Sequence, residues 1–266
     1  MEYGINKEQS KLMQVDPSIA VITVVYNNVT GIEKTIQSVI DQTYNNKQYI
    51  IIDGGSTDGT VDIIKKYQDK ISFWISEPDK GIYNAMNKGI VKSKTDYIMF
   101  LNSGDDFFEQ DIIDRIVREN DNKYDIIYNN LNIIASNDKS FIKTYPKELS
   151  FNYFTYETLP HPATLIKREL FSHIGMYDEN LKIVSDWKWF LLAICKYEFT
   201  YKNSEIIAAN FYLDGISSSK KYKNLISHEK SLVLKDEFSF NLNSSVKLKR
   251  HLALRLYKIR KILGFH

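Results

Sequence analysis

The alternation of two hydrophobic periods over the first hundred residues constrains this chain more than any other feature. Ala20 to Tyr26 (AVITVVY) is a β-branched run of strand length, and Ile32 to Ile40 then places Ile32, Ile36, Val39 and Ile40 at helical spacing. The unit repeats. Gln48 to Ile52 reads as a strand, and DGGSTDGT as a turn whose Asp58 is placed to cap a helix marked by Val61, Ile63, Ile64 and Tyr67. Ile71 to Ile75 is a short third strand, Ile82 to Ile90 a helix with Tyr83, Met86 and Ile90 on one face, and Asp96 to Leu101 a fourth strand. Strands joined through helices imply right-handed crossovers, so the expected fold is α/β: a Rossmann-like, mostly parallel sheet with helices on both faces. After Asp125 the rhythm turns irregular and aromatic-rich, and this second half is expected to cover the sheet edge and complete a site.

In sheets of this kind ligands bind beyond the carboxyl ends of the strands. Three expected strands end in polar clusters, Asn27-Asn28, Asp53-Gly54-Gly55-Ser56 and Asn102-Ser103-Gly104-Asp105-Asp106, which topology brings to one rim. The glycines of IDGGSTDGT do not have dinucleotide-fingerprint spacing, and Val61 after Thr60 rules out a phosphate loop. Asp53 is therefore either the first acid of a strand-to-helix turn or a ligand contact. FLNSGDD sets two carboxylates after a buried strand, either as a solvated turn or as oxygen donors for a hard divalent cation that shares a substrate diphosphate. In SDWKWF, Asp186 stands beside Trp187 and Trp189 at the start of an apolar helix, as a cap or as a base held against a sugar face. Asp79 and Lys80 lie at a strand-to-helix junction, where Lys80 either faces a diphosphate or is solvated; His161, in LPHPATLI, is either structural or on an acceptor side.

With 266 residues, 43% of them hydrophobic, the chain can bury one substantial core with appendages. The expected division is an extension over 1–19, a main domain over 20–215 and a helical tail over 216–266. The net charge of +2 argues neither for nor against nucleic acid, and no nucleic-acid partner is expected. Its distribution says more: Val246 to His266 carries seven Lys or Arg and no acid, leaving 28 basic and 33 acidic groups in the first 245 residues. In that tail Leu248, Leu252, Leu256, Ile259 and Leu263 recur at helical spacing opposite Lys247, Arg250, Lys258 and Lys261, the pattern of a peripheral membrane element on the cytoplasmic face. Arg255, inside the stripe, favours packing on the domain or on a second copy as a homodimer. The lone Cys195, the polar first 18 residues and the lack of any apolar run near the roughly 20 residues of a membrane span make a cytoplasmic protein the expectation.

VITVVYNN, IIIDGGSTDGT, EPDKGIYNAMNKGI, YIMFLNSGDD and YDENLKIVSDWKWF, in this order and at these separations, resemble the family 2 glycosyltransferases of the GT-A fold, particularly the bacterial members that build capsule, exopolysaccharide and lipopolysaccharide. The resemblance implies a nucleotide-diphosphate sugar donor, a UDP-sugar first, a glycan or lipid-linked glycan acceptor, hexosyl or N-acetylhexosaminyl transfer with inversion, and a divalent cation, manganese or magnesium. Carried over residue by residue, it implies that Asp53 binds the base or ribose, with Tyr26, Asp79, Lys80 and Asn102 also on the donor side. It implies Asp105 as the metal-binding acid of the Asp-x-Asp motif, Asp186 as general base, and His161 and Trp187 on the acceptor side. Two departures stand out: Gly54 where the family often has a second acid, and Asn102 with an extra residue before Asp105, which makes Asp106 a competitor for the metal. The rivals are a sugar- or partner-binding protein without catalysis and a nucleotidyltransferase. The latter calls for a Gly-rich, Arg- and Lys-containing loop where Tyr26-Asn27-Asn28-Val29-Thr30 stands.

Overall fold

The fold comes from a computed structural model that describes residues 16–120, 123–135, 139–213 and 220–239. Strands β1 (Ile19–Val25), β2 (Lys47–Asp53), β3 (Phe73–Ser76) and β4 (Tyr97–Phe100) pair in parallel in the order β3-β2-β1-β4. Helices α1 (Ile32–Ile40), α2 (Thr60–Lys66) and α3 (Ile82–Lys92) make the crossovers. The first two connections step away from β1 toward β3, and the third returns across it to β4. Right-handed crossovers therefore set α1 and α2 on one face and α3 on the other, with the direction reversing at β1 and β4. All seven residues of β1 are buried, the reason its apolar run is continuous rather than alternating. Helix α1 has the bounds its periodicity predicts, and Asp58 accepts from the Thr60 N–H (3.0 Å) at the start of α2. Helix α3 lies close on the sheet: a Cβ at Gly89 would stand 2.5 Å from Ile22 Cγ2.

The second half extends the same sheet. Antiparallel to β4 runs β8 (Leu165–Lys167), then β6 (Ile126–Ile134) antiparallel to β8, β9 (Tyr201–Tyr212) parallel to β6 and β5 (Asp106–Phe107) antiparallel to β9, with β7 (Ser140–Lys143) antiparallel to β6. These strands lack a clear hydrophobic period because polar side chains bridge inside them. Asn129 Nδ2 donates to Ala163 O (2.5 Å) and Asn130 Nδ2 to Glu205 O (3.0 Å), across a register shift in the β6–β9 pair. The connections hold α4 (Ile112–Asn120), α5 (Phe151–Tyr156), α6 (Leu170–Ile174) and α7 (Ser185–Cys195). Helix α8 (Lys223–Phe238) follows β9 and buries Glu229, Lys230, Val233 and Leu234. The leucine-striped basic segment Val246 to His266 and residues 1–15 lie outside the described residues. Among the described residues no helix is long and apolar enough to cross a membrane.

Candidate active site

Hydrogen bonds join the three polar strand ends into one rim. The Asn27 N–H donates to Ser56 Oγ (2.7 Å), Asn27 Oδ1 accepts from the Thr57 N–H (2.9 Å), and Asn28 Nδ2 donates to Ser103 Oγ (2.9 Å). The first cluster thus ties the turn after β2 to the loop after β4.

Asp53 is fully buried at the end of β2, and its carboxylate serves its own turn. Oδ2 accepts from the N–H groups of Gly55 (3.0 Å) and Ser56 (2.9 Å) and from Ser76 Oγ (2.6 Å), while Oδ1 accepts from Ser56 Oγ (2.5 Å). Gly54 is occupied in a different sense: a Cβ there would collide with Asp79 Oδ2 and crowd the Tyr26 ring. The Asp79 carboxylate, from the loop after β3, therefore stands where a side chain at Gly54, the place of the second acid missing from the sequence, would begin. Asp79 Oδ1 accepts from the Gly81 N–H (2.8 Å), which fixes its direction. Tyr26 is 65% exposed, an aromatic face open at the rim, and Lys80 is exposed with its N–H on Asn84 Oδ1 (3.2 Å).

The two acids of FLNSGDD part company. Asp106 lies in β5, where its carboxylate pairs with Lys34 Nζ (2.6 Å) and accepts from Asn210 Nδ2 (2.8 Å). Burial works against the Lys34 ammonium, but Asp106 and the Tyr212 hydroxyl override it and hold the amine above its ordinary value. Asp105 stands before the strand, with Oδ1 accepting from the Tyr212 N–H (3.2 Å) and its carbonyl from Thr35 Oγ1 (2.7 Å). Asn102 Oδ1 is buried with no hydrogen-bond partner, and the Asn102 carbonyl accepts the Asp105 N–H (3.1 Å). A carboxylate and an unsatisfied amide oxygen are the hard donors a magnesium or manganese ion takes. Among the described residues no group of three or more His, Cys, Asp or Glu could hold an ion, so a cation here would need oxygens from a ligand as well.

Asp186, in the first turn of α7, meets a residue that sequence reading left as a helix-face marker. Its Oδ1 lies 2.8 Å from Tyr83 Oη, which is also 2.6 Å from the Ile183 carbonyl, and the helix start carries no side-chain cap. Burial and then the Asp186 charge push the Tyr83 phenol well above its usual value, so it stays a donor. His161 is buried beside them, stacked on Phe100 with centroids 4.7 Å apart and with Nε2 3.0 Å from Tyr177 Oη. The Ala163 N–H donates to Phe100 O (2.9 Å), which anchors the His161 segment at the carboxyl end of β4. Trp187 is buried, its indole N–H on Phe154 O (2.8 Å), which ties the first turn of α7 to α5.

Burial lowers the His161 pKa from 6.5, with the Asp186 charge acting in the opposite direction. The unfolded chain then takes up this proton at a higher pH than the folded one, and stability falls as pH drops below about 6.5. Thermal unfolding between about pH 7.5 and about pH 5.5 is expected to show this decline, and His161→Gln to flatten it. An equal slope in the variant would assign the decline to other groups.

Two motifs far apart in sequence prove to be complementary surfaces. Asn87 Nδ2 donates to Tyr177 O (2.9 Å) and Asn87 Oδ1 accepts the Tyr177 N–H (3.0 Å), while Asn84 and Asn87 each donate to Glu179 (2.9 Å). YNAMN on α3 thus grips the YDE that leads to α7, and with Tyr83 sets the position of Asp186. The only sequence signal for this was the co-occurrence of the two motifs.

A parallel half-sheet β3-β2-β1-β4 joined through the antiparallel β8 to a mixed half, in which β6 and β9 run parallel, is the fold of the GT-A glycosyltransferases. Solved structures share it. Staphylococcus aureus TarS 1-349 in complex with UDP-GlcNAc superposes with a TM-score of 0.61 at 15% identity, over 87% of this chain and 76% of that one. The mannosyltransferase PcManGT of Pyrobaculum calidifontis, in complex with GDP-Man and Mn2+, gives 0.60 at 12% identity, over 94% and 83%. The sequence model described as Glycosyl transferase family 2 matches residues 20–179, and the chain belongs to that family. An uncharacterized glycosyltransferase of Mycobacterium tuberculosis is 31% identical over 183 residues, 66% of this chain and 69% of its own length. One of Rickettsia prowazekii is 30% identical over 236 residues, 83% and 74%.

Proposed function

We propose that the protein is an inverting glycosyltransferase that moves a hexosyl or N-acetylhexosaminyl group from a nucleotide-diphosphate sugar, a UDP-sugar first, to a glycan or lipid-linked glycan in surface polysaccharide synthesis. The observation that carries this reading is the Asp186–Tyr83 pair beside His161. It joins a half-buried carboxylate in the first turn of α7 to Tyr83 of α3, which supports reading Asp186 as the base. Tyr26 and Asp79 flank the nucleoside, and Lys80 faces the diphosphate. Asp105 and Asn102 would hold a divalent cation, which when bound supplies Lewis acidity to the departing nucleoside diphosphate. Asp106, engaged by Lys34 and Asn210, is the weaker ligand. Asp186 accepts the proton of the attacking hydroxyl, with Tyr83 fixing the oxygen that does not receive it. His161 and Trp187 shape the acceptor side. Attack from the face opposite the leaving group inverts the anomeric centre in one displacement. The basic tail Val246 to His266 would keep the enzyme on the cytoplasmic face of the membrane near a lipid-linked acceptor.

The reading is tested by thermal shift with UDP, UDP-GlcNAc and GDP-mannose, with and without manganese, followed by release of nucleoside diphosphate. A donor present at 100 times its Kd stabilises the fold by about 2.7 kcal/mol, a rise of roughly 5–10 °C for a chain of this size. Binding without release would leave a sugar-binding protein, and neither binding nor release would sink the reading.

A further inference from the structure

We infer that Glu229, on α8, is a positioning residue for Asp186; the inference rests on the functional reading above. Helix α8 lies beyond the residues matched by the family. Glu229 is only 5% exposed, and its two carboxylate oxygens divide between consecutive backbone donors, the N–H of Lys182 on Oε1 (2.8 Å) and that of Ile183 on Oε2 (3.1 Å). The same short segment is gripped from its other side, because the Ile183 carbonyl lies 2.6 Å from the Tyr83 hydroxyl that also reaches Asp186 Oδ1. One residue further on, the Val184 carbonyl accepts the Lys188 N–H (2.8 Å) and starts α7. The next residue of α8, Lys230, sets its ammonium 4.6 Å from the centre of the Trp187 ring, immediately after Asp186. Helix α8 therefore holds the chain directly before and directly after the proposed base.

Packing alone does not call for this. A helix facing the domain is served by an apolar residue at such a position, and burying a carboxylate costs several kcal/mol unless strong hydrogen bonds answer it. A forked, charged acceptor is the side chain that can fix two successive N–H groups at once. What it fixes is the segment Lys182–Ile183, whose Ile183 carbonyl accepts from Tyr83 and which leads directly into the first turn of α7. Loss of that fork allows Asp186 to drift by a fraction of an ångström, while the donor side of the rim, built on β1, β2 and β4, is left alone.

Glu229→Gln keeps the shape and one acceptor oxygen but turns an amide donor toward one of the two N–H groups. Turnover is to be followed in the full chain with manganese and UDP-GlcNAc or GDP-mannose, whichever is used. The expected result is a kcat lower by about 10- to 100-fold with the donor KM within about twofold, the scale of a small misplacement of a reacting group. In an Asp186→Asn background the same substitution should have almost no further effect, since it acts through that carboxylate. A merely structural role would instead lower the rate by the same factor in both backgrounds, and that result, or an unchanged kcat, overturns the inference. Should Glu229→Gln fail to fold, Glu229→Asp, with both oxygens on a shorter stem, is read by the same coupling to Asp186. Failure of the underlying reading looks different: Asp186→Asn would then transfer at the parental rate.

Discussion

Asp186→Asn is expected to bind nucleotide-sugar like the parent and to transfer the sugar about two to four orders of magnitude more slowly, the usual scale for losing a positioned proton acceptor. The substitution is nearly isosteric, and an asparagine Oδ1 can still accept from Tyr83 Oη, 2.8 Å away in the parent. The start of α7 does not depend on a side-chain cap, so the fold has little reason to change. What disappears is the ability to take a proton. Donor binding by thermal shift and transfer by nucleoside diphosphate release are measured on the same preparation. Near-parental transfer would remove Asp186 from the chemistry, while loss of donor binding would mean that it shapes the donor pocket instead.

Asp105→Asn is expected to abolish the manganese-dependent part of nucleotide binding. The variant keeps an oxygen that can accept the Tyr212 N–H and keeps the Asp105 carbonyl bonded to Thr35, so the loop geometry should survive. The charge that attracts the cation does not. Changing groups one step removed from a metal already costs about 10- to 100-fold in affinity, so loss of a direct ligand should reach at least about 100-fold. Asp106→Asn is the control. It breaks the ion pair with Lys34 and should lower thermal stability while leaving the manganese dependence in place. The opposite pattern, with manganese dependence surviving in the first variant and vanishing in the second, would exchange the two acids.

The parallel half of the fold was legible because its signals are local. β1 is buried on every residue, α1 keeps its apolar face, and the polar clusters follow the strands directly, so periodicity and chain order were enough to bring them to one rim. The mixed half, with β6 and β9 parallel and the other pairs antiparallel, hid itself because its order depends on partners distant in sequence. Asn129 and Asn130 break the apolar pattern of β6, and their amides bond to Ala163 and Glu205. The different surroundings of Asp105 and Asp106 were equally invisible, since the partners of Asp106 are Lys34 from α1 and Asn210 from β9, more than 70 residues away in either direction. Tyr83 counted as a core-facing residue because a buried tyrosine ring satisfies the helical pattern whatever its hydroxyl does, and its partner Asp186 lies 103 residues on.

The saturated carboxylate of Asp53 bears on how tightly a ligand can be held. Four donors from Gly55, Ser56 and Ser76 converge on it, and Asn27 fastens the same turn from β1, so residues Gly54 to Thr57 are held by the protein's own hydrogen bonds. Fixing a loose backbone costs about 1–2 kcal/mol per residue, so ordering four such residues on binding would consume about 4–8 kcal/mol of whatever the ligand's contacts supply. That is roughly three to six powers of ten in Kd. A buried acid whose carboxylate is engaged by its own turn can in this way govern affinity, by moving the entropy loss from the moment of encounter to the moment of folding.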